Sequence, residues 1–121
     1  MGDWLRLGPY GEAQAARLLE QRGHRILERN FRCPQGELDL VTWHRNTLVF
    51  VEVRVRQKSP DHHPLETITN QKQKRIGRAA RWFLVKNWKK TQPDCRFDVV
   101  WFQADGPELA DGGVLEGAFQ A

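Results

Sequence analysis

The sequence predicts an α/β domain in the order helix, strand, strand, strand, helix, strand, with a four-stranded mixed sheet flanked by helices. Three observations predict it. Apolar residues recur at helical spacing in two separate stretches, Ala15, Ala16 and Leu19 and then Ile76, Ala79, Ala80 and Phe83. Between them lie two runs rich in β-branched and aromatic residues, joined by the turn-type residues His44-Arg45-Asn46-Thr47, the pattern of a hairpin. The second run, Leu48-Val49-Phe50-Val51-Glu52-Val53-Arg54-Val55, starts apolar on both faces, which suits a central strand covered on both sides.

The first helix is expected from Pro9 to Arg22. Proline fits the first turn and Gly23 fits the left-handed residue past the end. Glu12 shares the side of Ala15, where an acid in the first turn complements the helix dipole or serves a site. A short strand follows around Ile26-Leu27-Glu28, and Pro34 and Gly36 break the chain before the next one. That strand is Gly36-Glu37-Leu38-Asp39-Leu40-Val41-Thr42-Trp43. With the turn centred on Arg45-Asn46, Trp43 pairs with Leu48, and counting back sets Asp39 opposite Glu52 and Glu37 opposite Arg54. Residues 57–65, with two prolines, read as a loop. The second helix runs from about Ile68 to Trp88, capped by Thr67 or Thr69. Lys74, Arg78, Arg81 and Lys89 line the side away from its apolar stripe. Lys72 departs from this segregation: it falls on the apolar face, one turn before Ile76. Cys95 to Gln103 reads as the last strand. The domain spans residues 1–103, and residues 104–121 read as an acidic, Gly-rich tail with little to bury.

Composition narrows the function classes. Charged residues are 28% and the hydrophobic set 40%, which is a globular balance. No stretch approaches the roughly 18 apolar residues of a membrane span. Met1-Gly2-Asp3-Trp4-Leu5-Arg6 lacks the apolar core of a signal peptide. Cys33 and Cys95 have no zinc-type spacing, and their redox state is open. The expected location is the cytoplasm, with no membrane partner. Charge is partitioned along the chain. Residues 1–53 carry seven basic and seven acidic side chains, residues 54–96 carry twelve and three, and residues 97–121 carry none and five. The net +9 of the central block is a polyanion footprint or a solvated helix face. Its candidate phosphate contacts are Arg56, Lys74, Arg75, Arg78 and Arg81.

The chemistry concentrates at Asp39, Glu52 and Arg54. Carboxylates about 5 Å apart on adjacent strands repel, so a cation between them is expected. A divalent metal with oxygen ligands, Mg²⁺ or Mn²⁺ held weakly by Asp39 and Glu52, is the simplest one. Cross-strand pairs Glu37–Arg54 and Asp39–Arg56 are the competing account, and they leave Glu52 unexplained. His62-His63 beside Asp61 reads as an exposed loop rather than a chelate. Ser59 and Thr67 have no recognisable triad partner, and no phosphate-cradling Gly motif occurs. Trp82 and Trp88 alternate with basic residues on the second helix, as bases' stacking platforms or as core.

The segments Gly11-Glu12-Ala13-Gln14-Ala15-Ala16, Arg29-Asn30-Phe31-Arg32, Gly36 to Val41, Leu48 to Arg56, Thr69-Asn70-Gln71-Lys72-Gln73 and Arg96-Phe97-Asp98-Val99-Val100 occur in this order. Over residues 8–102 the chain closely resembles the YraN-like family of small bacterial proteins. That family resembles the PD-(D/E)xK nucleases, near the Holliday-junction resolvases. The resemblance implies a restriction-endonuclease-like core and a metal-dependent endonuclease hydrolysing phosphodiester bonds of DNA or RNA, branched substrates included. It implies metal ligation by Asp39 and Glu52, a helical acid at Glu12, and support from Gln71 and Lys72. Arg54 departs from the pattern, which expects lysine; arginine stays protonated and cannot act as a base. The alternative it raises is a catalytically degenerate nucleic-acid-binding protein on a nuclease fold. The partners expected are nucleic acid, DNA ahead of RNA, and a second copy of the chain.

Overall fold

The computed structural model of the protein describes residues 7–89 and 91–121. The reading of Met1 to Arg6, and Lys90 within the basic block, lie outside them. Helix α1 (Leu7–Gln21) ends at Gly23 (φ +92°). There the Gly23 and His24 N–H groups donate to the Glu20 and Leu19 carbonyls at 3.0 and 2.9 Å. Strands β1 (Arg25–Cys33), β2 (Gly36–His44) and β3 (Thr47–Gln57) follow. A 3-10 turn (Pro64–Thr67) and helix α2 (Asn70–Asn87) lead to β4 (Asp94–Asp105) and β5 (Glu108–Phe119). Thr69 caps α2, accepting from the Lys72 N–H at 3.2 Å.

The sheet has five strands in the order β1-β2-β3-β4-β5, one more than the sequence predicts. Only the β3–β4 pair is parallel. β3 is central, and its alternation is divided between two cores. Leu48 and Phe50 pack with Ile76, Ala79, Ala80 and Phe83 of α2. Val49, Val51 and Val53 pack with Ala15, Ala16 and Leu19 of α1. Helices on both faces explain why this strand carries almost no polar residue until Glu52. Among the described residues no helix is long and apolar enough to cross a membrane.

Two expectations are corrected. Residues 104–121 are not a tail, because β5 pairs antiparallel with β4. Its acids, Glu108, Asp111 and Glu116, are exposed on an edge strand, where charge discourages further pairing. Its glycines allow close passage: a Cβ on Gly112 would lie 2.8 Å from the Trp101 carbonyl oxygen. The second correction concerns register. Trp43 does face Leu48, and the turn is the two-residue Arg45-Asn46 (φ 49° and 62°). The ladder stops at Leu40–Val51, however, so Glu37 never reaches Arg54. Glu37 faces Arg32 of β1 instead, with the charged groups 3.7 Å apart.

A carboxylate cleft where β2 and β3 part

The parting of β2 and β3 has a visible partner. Asp39 accepts the Val53 backbone N–H at 2.8 Å, so a side chain takes a donor that the ladder leaves free. Asp39 and Glu52 then line one cleft of about 850 Å³ together with Glu12, Arg54, Arg56 and His63. Neither Glu37–Arg54 nor Asp39–Arg56 occurs among the ion pairs of the described residues.

Glu52 dominates the electrostatics. Burial first, and Asp39 second, push its carboxyl up to about 9. Arg54 Nε lies 3.9 Å from Glu52 Oε1, at the edge of ion-pair range, and its charge lowers the Glu52 pKa by less than burial and Asp39 raise it. Arg54 Nε is itself buried and has no hydrogen-bond partner among the described residues. An unsatisfied guanidinium donor beside an acid whose charge is disfavoured is an unfinished site. Glu12 is also raised, by burial and then by the charges of Asp39 and Glu37. Asn30, at φ +53°, turns its amide nitrogen to Glu12 Oε2 (3.1 Å) and Glu37 Oε1 (3.0 Å) when the amide is oriented to satisfy both. Lys72 of α2 does not line the cleft, but it lies near enough to Arg54, Arg56 and Glu52 to feel their charges. Burial and the charges of Arg54 and Arg56 lower its affinity for a proton.

The basic residues divide. Arg56 lines the cleft, and Arg75 lies across Gly36 at the β1–β2 turn. Lys74, Arg78 and Arg81 line a separate cavity on α2. Of the histidines, His62 is exposed and pairs with Glu66 at 3.5 Å. His63 is not merely exposed loop. Its Nδ1 accepts the Leu65 N–H at 3.1 Å, and its ring meets Trp101 edge-on at 4.3 Å. The bond at Nδ1 leaves the other nitrogen, Nε2, as the proton-bearing one. Sequence reasoning missed His63 and Asn30; the one local signal was the His63-Pro64 step opening a short turn.

The cleft makes a pH prediction. Glu52 titrates higher folded than unfolded, so between about pH 4.5 and 9 the folded state holds the extra proton. Stability of the metal-free protein therefore falls as pH rises through that window. Glu52→Gln is expected to flatten the fall and raise Tm at pH 8 by several degrees. Thermal melts in chelator at pH 5, 7 and 9 check it; identical slopes in both proteins would refute it.

Fold and site together define an α/β protein whose mixed sheet opens onto an acidic cleft bordered by cations. Residues 11–102 match the profile described as "Uncharacterised protein family UPF0102". The chain is 43% identical to a UPF0102 protein of Moorella thermoacetica over 115 residues, 94% of this chain and 95% of that one. It is 45% identical to one of Chlorobium phaeobacteroides over 94 residues, 78% and 74% of the two chains. A third, from Syntrophotalea carbinolica, is 42% identical over 116 residues, 95% and 92%. The chain belongs to the UPF0102 family, the YraN-like family that its motifs resemble.

Proposed function

We propose that the cleft is the site of a metal-dependent endonuclease that hydrolyses phosphodiester bonds of nucleic acid. The observation that carries this reading is the pairing of Glu52 with Asp39 beside the orphaned Arg54 Nε. Two partly buried acids and an unsatisfied cationic donor are destabilising as they stand, and they fit a ligand set.

The donor set also selects the metal. No group of three or more His, Cys, Asp or Glu side chains suited to a metal occurs among the described residues. That argues against a closed zinc site. Two carboxylates suit Mg²⁺ or Mn²⁺, which are held by few protein ligands and retain water. When bound, such an ion supplies charge neutralisation and a more acidic water. The chain's own residues do the rest. Glu52, as the carboxylate with its proton released to solvent, and Asp39, oriented by the Val53 N–H, would hold the ion. Arg54 directs Nε at a non-bridging phosphate oxygen, where charge grows in the transition state. Glu12, held by Asn30, stands in the outer shell. Lys72 adds positive charge from α2, and His63 offers a fixed N–H. The basic side chains of α2 hold the backbone, and the cytoplasm is where such a substrate is met.

The second reading is a binding module that has lost catalysis, and Arg54 is the residue that favours it. Metal binding tests the first. Saturating Mn²⁺ or Mg²⁺ is expected to raise Tm of the wild type, by linkage worth about 2.7 kcal/mol at a hundred times Kd. Asp39→Asn is expected to lose that increment. A variant that keeps the full increment sinks the ligand assignment.

A further inference from the structure

Trp82 and Val85 stand outside both apolar cores, 47% and 73% exposed. Trp88, the C-cap of the same helix, is treated differently: its ring stacks on Trp43 with centroids 6.0 Å apart. Trp82 has no aromatic partner among the described residues. Leaving half of a large ring in water forgoes burial that α2 grants to Ile76 and Phe83.

What surrounds the ring is cationic. At 100° per residue, Arg81, Lys74, Val85, Arg78 and Trp82 fall within an arc of about 100°, opposite the buried stripe. Lys74, Arg78 and Arg81 also line a cavity of about 480 Å³ with Asn70, Gln73 and Gln120. Three cations, three carboxamides and Ala121 form this lining, and among the described residues no Asp or Glu side chain enters it. Such a surface attracts phosphate. A half-exposed indole beside phosphate-binding cations is the pairing that holds a strand by its backbone and one base. In a duplex the base faces are already stacked, so this ring has a partner only where a strand is unpaired.

We propose that this face of α2 binds an unpaired segment of nucleic acid, with its phosphates against Lys74, Arg78 and Arg81 and a base stacked on Trp82. The inference rests on the nuclease reading of the cleft and gives it a substrate class: nucleic acid with a single-stranded part. Lys72, within reach of the charges of Arg54, Arg56 and Glu52, and Trp82 are ten residues apart on α2, about 15 Å along the helix. An unpaired segment of a few nucleotides spans that distance.

The test uses the full chain carrying Asp39→Asn, in chelator, so that binding is read without cleavage. Labelled single-stranded, tailed-duplex and blunt-duplex oligonucleotides are titrated. Adding Trp82→Ala is expected to weaken binding of the first two by about 5- to 150-fold, the worth of one stacked base. Blunt-duplex binding is expected to stay unchanged, and Trp82→Phe to retain most of the affinity, which also reports on folding. Equal weakening on all three probes, no weakening, or no binding by the parent overturns the proposal. So does a change in sedimentation of the free protein, which would assign this face to a second copy of the chain. The two readings fail separately. If Trp82 matters for the tailed probe but the wild type shows neither metal shift nor cleavage, the nuclease reading falls alone. If the wild type cleaves and Trp82→Ala changes nothing, the substrate class falls alone.

Discussion

Asp98→Ala is expected to lower the unfolding free energy by about 3–5 kcal/mol, the usual cost of breaking one side of a buried charge pair. For a domain of this size that corresponds to roughly 10–25 °C in Tm. Asp98 is fully buried on β4. Arg96 donates to it twice, from Nε at 2.8 Å and Nη2 at 3.0 Å. The Gly117 N–H donates to Oδ1 at 3.0 Å, at a bulge where one residue of β4 faces Glu116, Gly117 and Ala118 of β5. Gly117 adopts φ +59°, open to glycine at little cost. Arg96 Nη2 reaches on to His44 Nδ1 at 3.1 Å, and His44 stacks on His24 with centroids 3.9 Å apart. His24 Nδ1 closes the chain on Thr42 Oγ1 at 2.8 Å. Burial, then the neighbouring His44, push His24 down to about 4, so it stays neutral at physiological pH. Removing the Asp98 carboxylate leaves a guanidinium and a bulge N–H without their acceptor. Replacing both charges, with Arg96→Met and Asp98→Leu, is expected to recover most of the loss. Denaturant melts measure both; a loss under about 1 kcal/mol for Asp98→Ala would show that the pair holds little.

The same network marks where sequence reading stops. It joins five side chains from β2, β4 and the α1–β1 junction, and no local pattern links His24 to Arg96. The hairpin was legible because β-branched runs and Asn46 act locally, and β3 because two-sided apolarity has one explanation, a covered central strand. The cap at Gly23 was legible for the same reason, and the α2 cap was narrowed to Thr67 or Thr69, of which Thr69 is the one. β5 was not, since an edge strand of acids and glycines shows no alternation and draws its pairing from β4 alone. Register below Leu40 failed because counting assumes an unbroken ladder, and Asp39 competes for the Val53 N–H. Glu12, Asp39, Glu52 and Arg54 were foreseen as candidates and do line one cleft. Lys72 does not line it, though the charges of Arg54, Arg56 and Glu52 reach it. Their electrostatics were not foreseen: the orphaned Arg54 Nε and the raised Glu52 depend on burial, which sequence does not report.

Glu52→Gln is expected to reduce metal-dependent cleavage by about 10³-fold or more, the scale of a lost electrostatic stabiliser. The substitution keeps shape and burial while removing the ligand charge, so binding of nucleic acid to α2 is expected to persist. Arg54→Lys separates the two readings of the site. It retains one positive charge, gives up the fork, and restores the residue of the family pattern. For an active enzyme, turnover is expected to hold or rise. Lys72→Ala is expected to lower kcat more than affinity, because it acts on charge that develops during reaction. For a degenerate fold, the wild type cuts none of the tailed, flapped or junction substrates with Mg²⁺ or Mn²⁺, and Arg54→Lys alone uncovers activity. Highly purified protein is required, and Glu52→Gln is its own control. Cleavage that survives unchanged in that variant comes from a contaminant or another site, and the assignment of Asp39 and Glu52 falls with it.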